Sequence, residues 1–228
     1  MARMRSRRYQ KAAAKVDQTK RYSVVEGMSL IKSLAGAKFD EAVDVAVRIG
    51  IDAKKTDQLV RGSVSLPKGT GKSVKIAVFA EGERAKEALA AGADFVGSAD
   101  LADKIEKGFT DFDMTIASPD MMKYVGKLGK VLGPQGKMPS PKAGTVTPNV
   151  AAAVREFKAG KIEFRTDAGA NVHVAIGKKS FVAEDLAANL VAFLDHLRTL
   201  RPAQAKGEFI KKVVVSTSMG PGVALAVE

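Results

Sequence analysis

The stretch DEAVDVAVRIGI, residues 40–51, carries a branched aliphatic side chain at every second position: Val43, Val45, Val47 and Ile49. This period of two is typical of a β-strand that buries one face. The run LVRGSVSL (59–66) follows a polar turn, and we expect it to pair with the first strand. Upstream, MSLIKSLAGAKF (28–39) has apolar residues at helical spacing and contains Gly36, a residue type common at helix C-termini. The chain therefore opens with a helix and two strands.

Downstream of Pro67 the pattern changes to short buried strands that alternate with helices. SVKIAVFA (73–80) is typical of a buried strand and GERAKEALAAGA (82–93) of a helix, and two further strand and helix pairs follow before residue 128. This alternation is typical of a parallel α/β layer. The last part of the chain predicts a helix at 150–160, strands at 161–166 and 171–177, a long helix at 181–200 and a final strand at 208–219.

The two ends of the chain share a helix-and-hairpin pattern that the middle lacks. We therefore predict an α+β split domain, residues 1–67 with 160–228, interrupted by an inserted α/β domain of three-layer, Rossmann-like type, residues 68–159. The chain would cross between these domains twice, and the two crossings would form a double hinge. The predicted hinge residues are Pro67, Lys68, Ala159 and Gly160.

The composition describes a folded protein with a cationic surface, because the 228 residues have a net charge of +12 and are 46% hydrophobic. Without cysteine there is no disulfide, thiolate-bound zinc or iron–sulfur cluster, and two histidines cannot supply a three-histidine metal site. We expect no metal and no cofactor. No apolar run approaches the roughly 20 residues that cross a bilayer, so we expect no membrane association and a cytoplasmic location. An organellar transit peptide remains an alternative interpretation of the basic N-terminal arm.

The positive charge is concentrated in two places. Residues 1–21 hold eight basic side chains and one acid, which accounts for +7 of the +12. Residues 123–142 hold five lysines, no acid and several glycines, and this composition predicts a mobile cationic loop. Such patches attract a polyanion through counterion release, although a solvated surface has the same composition.

The glycine-rich segments do not match the phosphate-binding motifs of enzymes. LPKGTGKS (66–73) has Leu66 where a P-loop needs glycine, and it precedes a strand instead of following one. Near GPQGKMP (133–139), Val131 stands where the first glycine should be. His173 and His196 belong to no serine-nucleophile or metal motif, so we expect both to be structural. The sequence argues against a nucleotide-dependent enzyme, and we expect no catalytic residues.

Two short segments carry groups suited to RNA: KFDE (38–41) after the first helix and STSMGP (216–221) at the end of the last strand. A lysine beside an aromatic ring, a cluster of hydroxyls and a closely approachable glycine are groups that contact phosphates, 2'-hydroxyls and bases. The alternatives are that Phe39 belongs to the core and that residues 219–221 are only a turn ending the strand.

Four segments together resemble the bacterial ribosomal protein L1 family: residues 38–72, the highly specific block KYVGKLGKVLGPQGKMPSPKAGTV (123–146), residues 157–181 and STSMGP. The resemblance runs from about Arg8 to Pro221, and the family's fold is a split α+β domain interrupted by an α/β domain. It implies a structural protein that binds large-subunit rRNA directly, forms the mobile stalk beside the tRNA exit site and aids release of deacylated tRNA. It also implies a translational repressor. The implied partners are the stalk region of the rRNA, the mRNA of its own operon, exit-site tRNA and the 50S subunit.

The resemblance further implies which residues bind RNA. On the split domain they are Glu26, Lys38, Phe39, Lys54, Lys55, Arg165, Thr166, Asp167, Ser218, Met219 and Gly220. A secondary RNA contact on the inserted domain would involve Lys123, Lys127, Lys130, Lys137 and Lys142. The cations would pair with phosphates, the other polar groups would hydrogen-bond 2'-hydroxyls and base edges, and the phenylalanine would stack or brace the surface. A protein that coats DNA without specificity remains the alternative, since the basic arm alone would support it.

Overall fold

The computed structural model describes residues 6–53, 55–205 and 207–226. In these ranges the helices are α1 (Arg7–Ala13), α2 (Val24–Leu34), α3 (Glu83–Ala90), α4 (Ala99–Glu106), α5 (Met122–Val125), α6 (Gly129–Leu132), α7 (Val150–Ala159) and α8 (Ala183–Thr199). The strands are β1 (Ala42–Ile49), β2 (Arg61–Ser65), β3 (Ile76–Phe79), β4 (Phe95–Gly97), β5 (Met114–Ala117), β6 (Lys161–Arg165), β7 (Asn171–Lys178), β8 (Ile210–Thr217) and β9 (Val223–Leu225). None of these helices is long and apolar enough to cross a membrane.

The chain folds into two compact units, residues 1–71 with 164–228 and residues 72–163. The first unit contains an antiparallel sheet of order β7-β1-β8-β9, and the second contains a parallel sheet of order β4-β3-β5. Antiparallel strands from both ends of the chain and a parallel α/β sheet from its middle are therefore both present. The sequence pattern placed the two boundaries slightly earlier, after residues 67 and 159.

The alternating aliphatic residues of 43–49 form β1, which lies inside the four-stranded sheet. Val45 faces Val174 of β7 on one side and Val215 of β8 on the other. Val45 and the aliphatic residues two positions before and after it are buried, and α2 and α8 pack on strands of this sheet. The prediction of a strand with one buried face is confirmed.

The other face of this sheet, termed the open face, carries the alternate side chains of three strands. These are Asp44, Ala46 and Arg48 of β1, Asn171, His173 and Ala175 of β7, and Lys212, Val214 and Ser216 of β8. Arg48, His173, Ala175 and Lys212 are exposed to solvent, and the other five residues are half-buried. The open face thus carries mostly small or polar groups.

The expected pairing of residues 59–66 with β1 is wrong. β2 pairs instead with β6 in a separate two-stranded sheet. Both edges of β1 are occupied by β7 and β8, which leaves no free edge for β2. Between β1 and β2 the chain makes a 3-10 turn, where the Gln58 side chain accepts a hydrogen bond from the backbone N–H of Asp52. The sequence pattern also indicates neither α1 nor β9.

In the second unit, β3 lies between β4 and β5, and side chains of its alternate residues enter two different core clusters. Ile76 packs with Phe157 of α7, whereas Phe79 packs with Ile105 of α4 and Leu132 of α6. Because successive strand residues point to opposite faces, helices cover both faces of this parallel sheet. This layering matches the alternation of strands and helices in the sequence.

The prediction of a mobile cationic loop over 123–142 is wrong for residues 123–132, whereas the helix that the strand and helix pattern predicts up to residue 128 is present. This segment forms α5, a 3-10 turn and α6 in direct succession. Val125, Leu128 and Leu132 recur at spacings of three and four and are buried in the core of the second unit. The sequence pattern predicts a helix only as far as residue 128, and glycines and lysines conceal its continuation to Leu132.

Candidate nucleic-acid interface

Glu41 is a fully buried residue immediately before β1, and its carboxylate joins two loops. One carboxylate oxygen accepts a hydrogen bond from the backbone N–H of Ala37 (2.8 Å) and the other accepts one from the N–H of Met219 (3.1 Å). Burial raises the pKa of Glu41, but the two N–H donors, the Thr217 hydroxyl and the charge of Arg8 together hold the pKa below its ordinary value. The ionised carboxylate therefore holds the loop before Phe39 beside the loop after β8.

Further hydrogen bonds brace the same two loops. The N–H of Ser218 donates to the carbonyl oxygen of Ala42 (3.0 Å), and its hydroxyl oxygen accepts from the N–H of Ala42 (3.1 Å). The carboxylate of Asp40 accepts from the backbone N–H (3.0 Å) and the hydroxyl (2.9 Å) of Ser180, just beyond β7. The loops are thus fastened to the ends of β7, β1 and β8.

The braced loops present a group termed the edge cluster, which consists of the exposed Lys38, Phe39, Ser218 and Met219 and the half-buried Gly220. Phe39 and Met219 are each 52% exposed, so Phe39 is not a core residue. A Cβ atom at Gly220 would overlap the hydroxyl of Thr217, and this close approach requires glycine. The edge cluster therefore combines two exposed apolar side chains, a cation and a closely approachable backbone.

Other predicted residues lie in the turns after β1 and β6 and are termed the turn group: Lys55, Arg165, Thr166 and Asp167. Lys55 and Arg165 are exposed, whereas Lys54 lies outside the described residues. A carboxylate oxygen of Asp167 accepts from the backbone N–H of Asn171 (2.7 Å), and this bond is the main cause that lowers the pKa of Asp167. The carboxylate of Asp167 is therefore ionised and ordered by its own turn.

The structure separates the edge cluster from the turn group. The edge cluster lies beside Ala42 at the start of β1, and the turn group lies beside Arg48 near its end, where Asn171 pairs. The eight residues of β1 span roughly 23 Å at about 3.3 Å per residue. Glu26 belongs to neither group, since it is exposed in the first turn of α2, where Ser23 caps the helix.

The open face connects the two groups and escaped prediction. Its residues come from three strands that are distant in sequence, and only the pairing register reveals that they share one face. His173 is 63% exposed there, and its Nε2 lies 3.4 Å from a carboxylate oxygen of Asp167. His196 does have a structural setting, because its ring packs edge-on against Phe164 (centroids 6.1 Å apart).

Comparison with known proteins identifies the family. Residues 31–221 match the model described as the ribosomal protein L1p/L10e family. The chain belongs to this family. It is 55% identical over 221 residues to the large ribosomal subunit protein uL1 of Kosmotoga olearia, covering 97% of this chain and 96% of that protein. The uL1 proteins of Ralstonia nicotianae (55% over 220 residues; 96% and 95% covered) and Ralstonia pickettii (57% over 210 residues; 92% and 91%) are similar over the same extent.

Family membership confirms the resemblance noted in the sequence and makes this chain a ribosomal protein, not an enzyme. Among the described residues, no group of three or more His, Asp or Glu side chains could hold a metal ion.

In this L1-family member the five lysines of the second unit do not form one set. Lys123, Lys127 and Lys130 are exposed at spacings of four and three, so they share one side of the helical segment, and Lys142 is also exposed. Lys137 is half-buried: its ammonium donates to the carbonyl oxygen of Thr110 (3.0 Å) and lies over the ring of Phe112 (5.0 Å to its centroid). We therefore leave Lys137 out of the proposed secondary RNA contact.

The first proposed hinge is fastened to the first unit. The N–H of Lys68 donates to the side-chain oxygen of Asn189 (3.0 Å), and the Asn189 amide donates to the carbonyl oxygen of Gly69 (2.9 Å). We therefore place the proposed flexing point of this crossing after Gly71, where the first unit of this family member ends. The second proposed hinge lies inside the second unit, which extends to Glu163, and its buried Gly160 ends α7 with a φ of 113°.

Proposed function

We propose that this chain is a component of the large ribosomal subunit that binds rRNA directly through the first unit. The observation that carries this proposal is the edge cluster, in which Glu41 holds the exposed Phe39 and Met219 on adjacent loops. Exposed aromatic and apolar side chains on a rigid polar framework suit stacking against unpaired bases. The name of each compared relative describes it as a large-subunit protein, which supports the same assignment.

The open face extends this surface toward the turn group. The minor groove of A-form RNA is wide and shallow and displays 2'-hydroxyls, so a protein reads it with a flat surface of hydrogen-bonding groups. Ala46 and Ala175 allow close approach, while His173 and Ser216 supply polar groups and Arg48 supplies a cation. A duplex lying along β1 would contact the edge cluster at one end and the turn group at the other.

The finer roles follow from the family resemblance. We propose that the bound rRNA is the stalk beside the tRNA exit site, that the protein aids release of deacylated tRNA there, and that it represses its own operon by binding the mRNA. A single recognition surface for both RNAs requires them to compete. Addition of unlabelled stalk RNA should release labelled operon mRNA from the protein, and simultaneous binding of both would contradict a shared surface.

The decisive experiment is a titration with a stalk RNA fragment and with a scrambled RNA of equal length over a series of salt concentrations. Counterion release weakens both complexes as salt rises, whereas specific contacts with bases and 2'-hydroxyls persist. We expect the stalk RNA to keep a large advantage at high salt. If both RNAs bind alike and dissociate together, the protein is a nonspecific polyanion binder and the proposal fails.

A further inference from the structure

A cleft of about 160 Å³ opens between α1 and the C-terminal end of α2. Its lining from the N-terminal segment consists of Arg8, Lys11, Ala12 and Lys15, and α2 contributes Ser33 and Leu34. The N-terminal residues recur at spacings of three, one and three, which places them on one side of a helix. One side of α1 and of the turn that follows it therefore directs three cations toward the cleft.

The N-terminal segment that carries these cations is docked on the first unit. The Arg8 guanidinium donates to the carbonyl oxygen of Gly36 (3.4 Å), and a Cβ at Gly36 would lie 3.5 Å from the Arg8 stem. Val16 is buried, and the N–H of Asp17 donates to the hydroxyl of Tyr22 (3.0 Å). The cleft is thus held in place at both ends of α1.

The cleft adjoins the edge cluster. Gly36, which Arg8 contacts, lies two residues before Lys38 in the chain, and the charge of Arg8 acts on the buried carboxylate of Glu41. Within the described ranges no acidic side chain forms an ion pair with Lys11 or Lys15, and both are exposed. The cleft therefore contains two uncompensated cations, and Arg8 links it to the segment that leads into the edge cluster.

We propose that this cleft binds a phosphate of the RNA backbone next to the nucleotides that the edge cluster contacts, an inference that rests on the proposed function. Lysines and arginines that pair with phosphates fix the position of a protein on RNA without reading its sequence. Lys11 and Lys15 supply the charge, while Arg8 holds α1 in place. The edge cluster then supplies discrimination, and the cleft supplies affinity that depends on salt.

The test is the double variant Lys11→Gln and Lys15→Gln, which keeps Arg8 and retains good helix formers in α1. Each lost phosphate contact removes about 0.7 to 0.9 from the slope of log affinity against log salt. We expect a smaller slope and an equal fold-loss of affinity for stalk and scrambled RNA, so that their ratio stays constant. The matched control, Lys86→Gln with Lys104→Gln, removes the same charge from exposed positions on α3 and α4 and should leave the slope unchanged.

A second measurement uses the unaltered protein, so it does not depend on how the variant folds. Acetylation rates of Lys11 and Lys15 should fall on RNA binding, whereas that of Lys86 should not. A slope equal to that of the control variant, or acetylation that RNA does not change, would overturn the cleft proposal. The salt slope can be measured with scrambled RNA alone, so it tests the cleft proposal by itself. Equal affinity for stalk and scrambled RNA would refute the proposed function, and that result is independent of the slope.

Discussion

The backbone N–H of Met219 donates a hydrogen bond to the buried carboxylate of Glu41, 178 positions earlier in the chain. Because the same carboxylate accepts from the N–H of Ala37, one acidic side chain positions both Phe39 and Met219. Glu41 is itself inaccessible to solvent, so in the proposed RNA complex it would act only through the loops that it holds.

Glu41→Gln should weaken RNA binding and lower the free energy of unfolding. The carboxamide keeps one acceptor oxygen and adds an NH₂ donor, so the N–H of Ala37 or of Met219 loses its partner. An unsatisfied buried donor costs about 1–3 kcal/mol. Denaturant unfolding and stalk RNA affinity, measured where the variant is still folded, provide the two readouts.

The matched control for Glu41 is Asn189→Ala, which removes another fully buried polar side chain that ties backbone groups in the first unit. It should destabilise the protein similarly and leave the affinity for stalk RNA intact. Equal loss of affinity in both variants would mean that Glu41 acts through overall stability alone.

Phe39→Ala and Met219→Ala should each weaken stalk RNA binding with little effect on unfolding, because both side chains are half-exposed. Loss of stacking on a base costs about 1–3 kcal/mol by alanine substitution. Leu89→Ala is the control, since Leu89 is 57% exposed on α3 of the second unit. Unchanged affinity in both edge-cluster variants would show that RNA binds elsewhere.

Lys127→Gln and Lys137→Gln should change different properties, the first the salt dependence of RNA binding and the second the stability. Lys127 is exposed, so its loss should reduce the salt dependence of RNA binding and leave stability unchanged. Lys137 donates to Thr110 and lies over Phe112, so its loss should destabilise the second unit without changing the salt slope. Salt titrations and thermal unfolding of both variants check the pair, and a reduced slope for Lys137→Gln would restore it as a phosphate contact.

Asp44→Asn should stabilise the protein at neutral pH. Burial raises the pKa of Asp44 on the open face, so the folded protein binds the proton more tightly than the unfolded chain does. Above the ordinary pKa of an aspartic acid the charge therefore opposes folding, and below that pKa this effect is absent. Denaturant unfolding measured from about pH 3 to about pH 7 should show that the variant has the higher free energy of unfolding at neutral pH and that this difference disappears toward pH 3. If the gain in free energy of unfolding persisted at about pH 3, or if Asp57→Asn at an exposed position gave an equal gain, burial of the Asp44 charge would not be its cause.

Local periodicity predicts a helix or strand when the residues of that element alone show which of its faces is buried. The alternation in residues 43–49 predicts β1, and the alternating strands and helices after Pro67 predict the parallel sheet. Strand pairing is not local, which is why β2 was assigned to the wrong partner: the edges of β1 belong to β7 and β8. Glycines and lysines likewise conceal that the helical segment predicted up to residue 128 continues to the buried Leu132.

The residues of the candidate site are likewise predictable from the sequence only in part. Residue type and family resemblance predict Phe39 and Met219 as surface groups, but not that a buried carboxylate holds them together. Arg48 and His173 escape prediction because their shared face exists only once β1 and β7 pair. Lys137 resembles the other lysines in sequence, and only its contacts with Thr110 and Phe112 distinguish it.

The sheet order β7-β1-β8-β9 determines the order in which the two units can fold during synthesis. Val45 pairs with Val174 and Val215, which are translated 129 and 170 residues later, whereas Ala77 of β3 pairs with Phe95 and Thr115. Closing short loops is faster and costs less entropy, so the second unit folds while β1 still has both edges unpaired. The edge cluster forms last, after Met219 has been added. A truncated nascent chain would therefore lack the proposed recognition surface and compete for neither the rRNA nor the messenger.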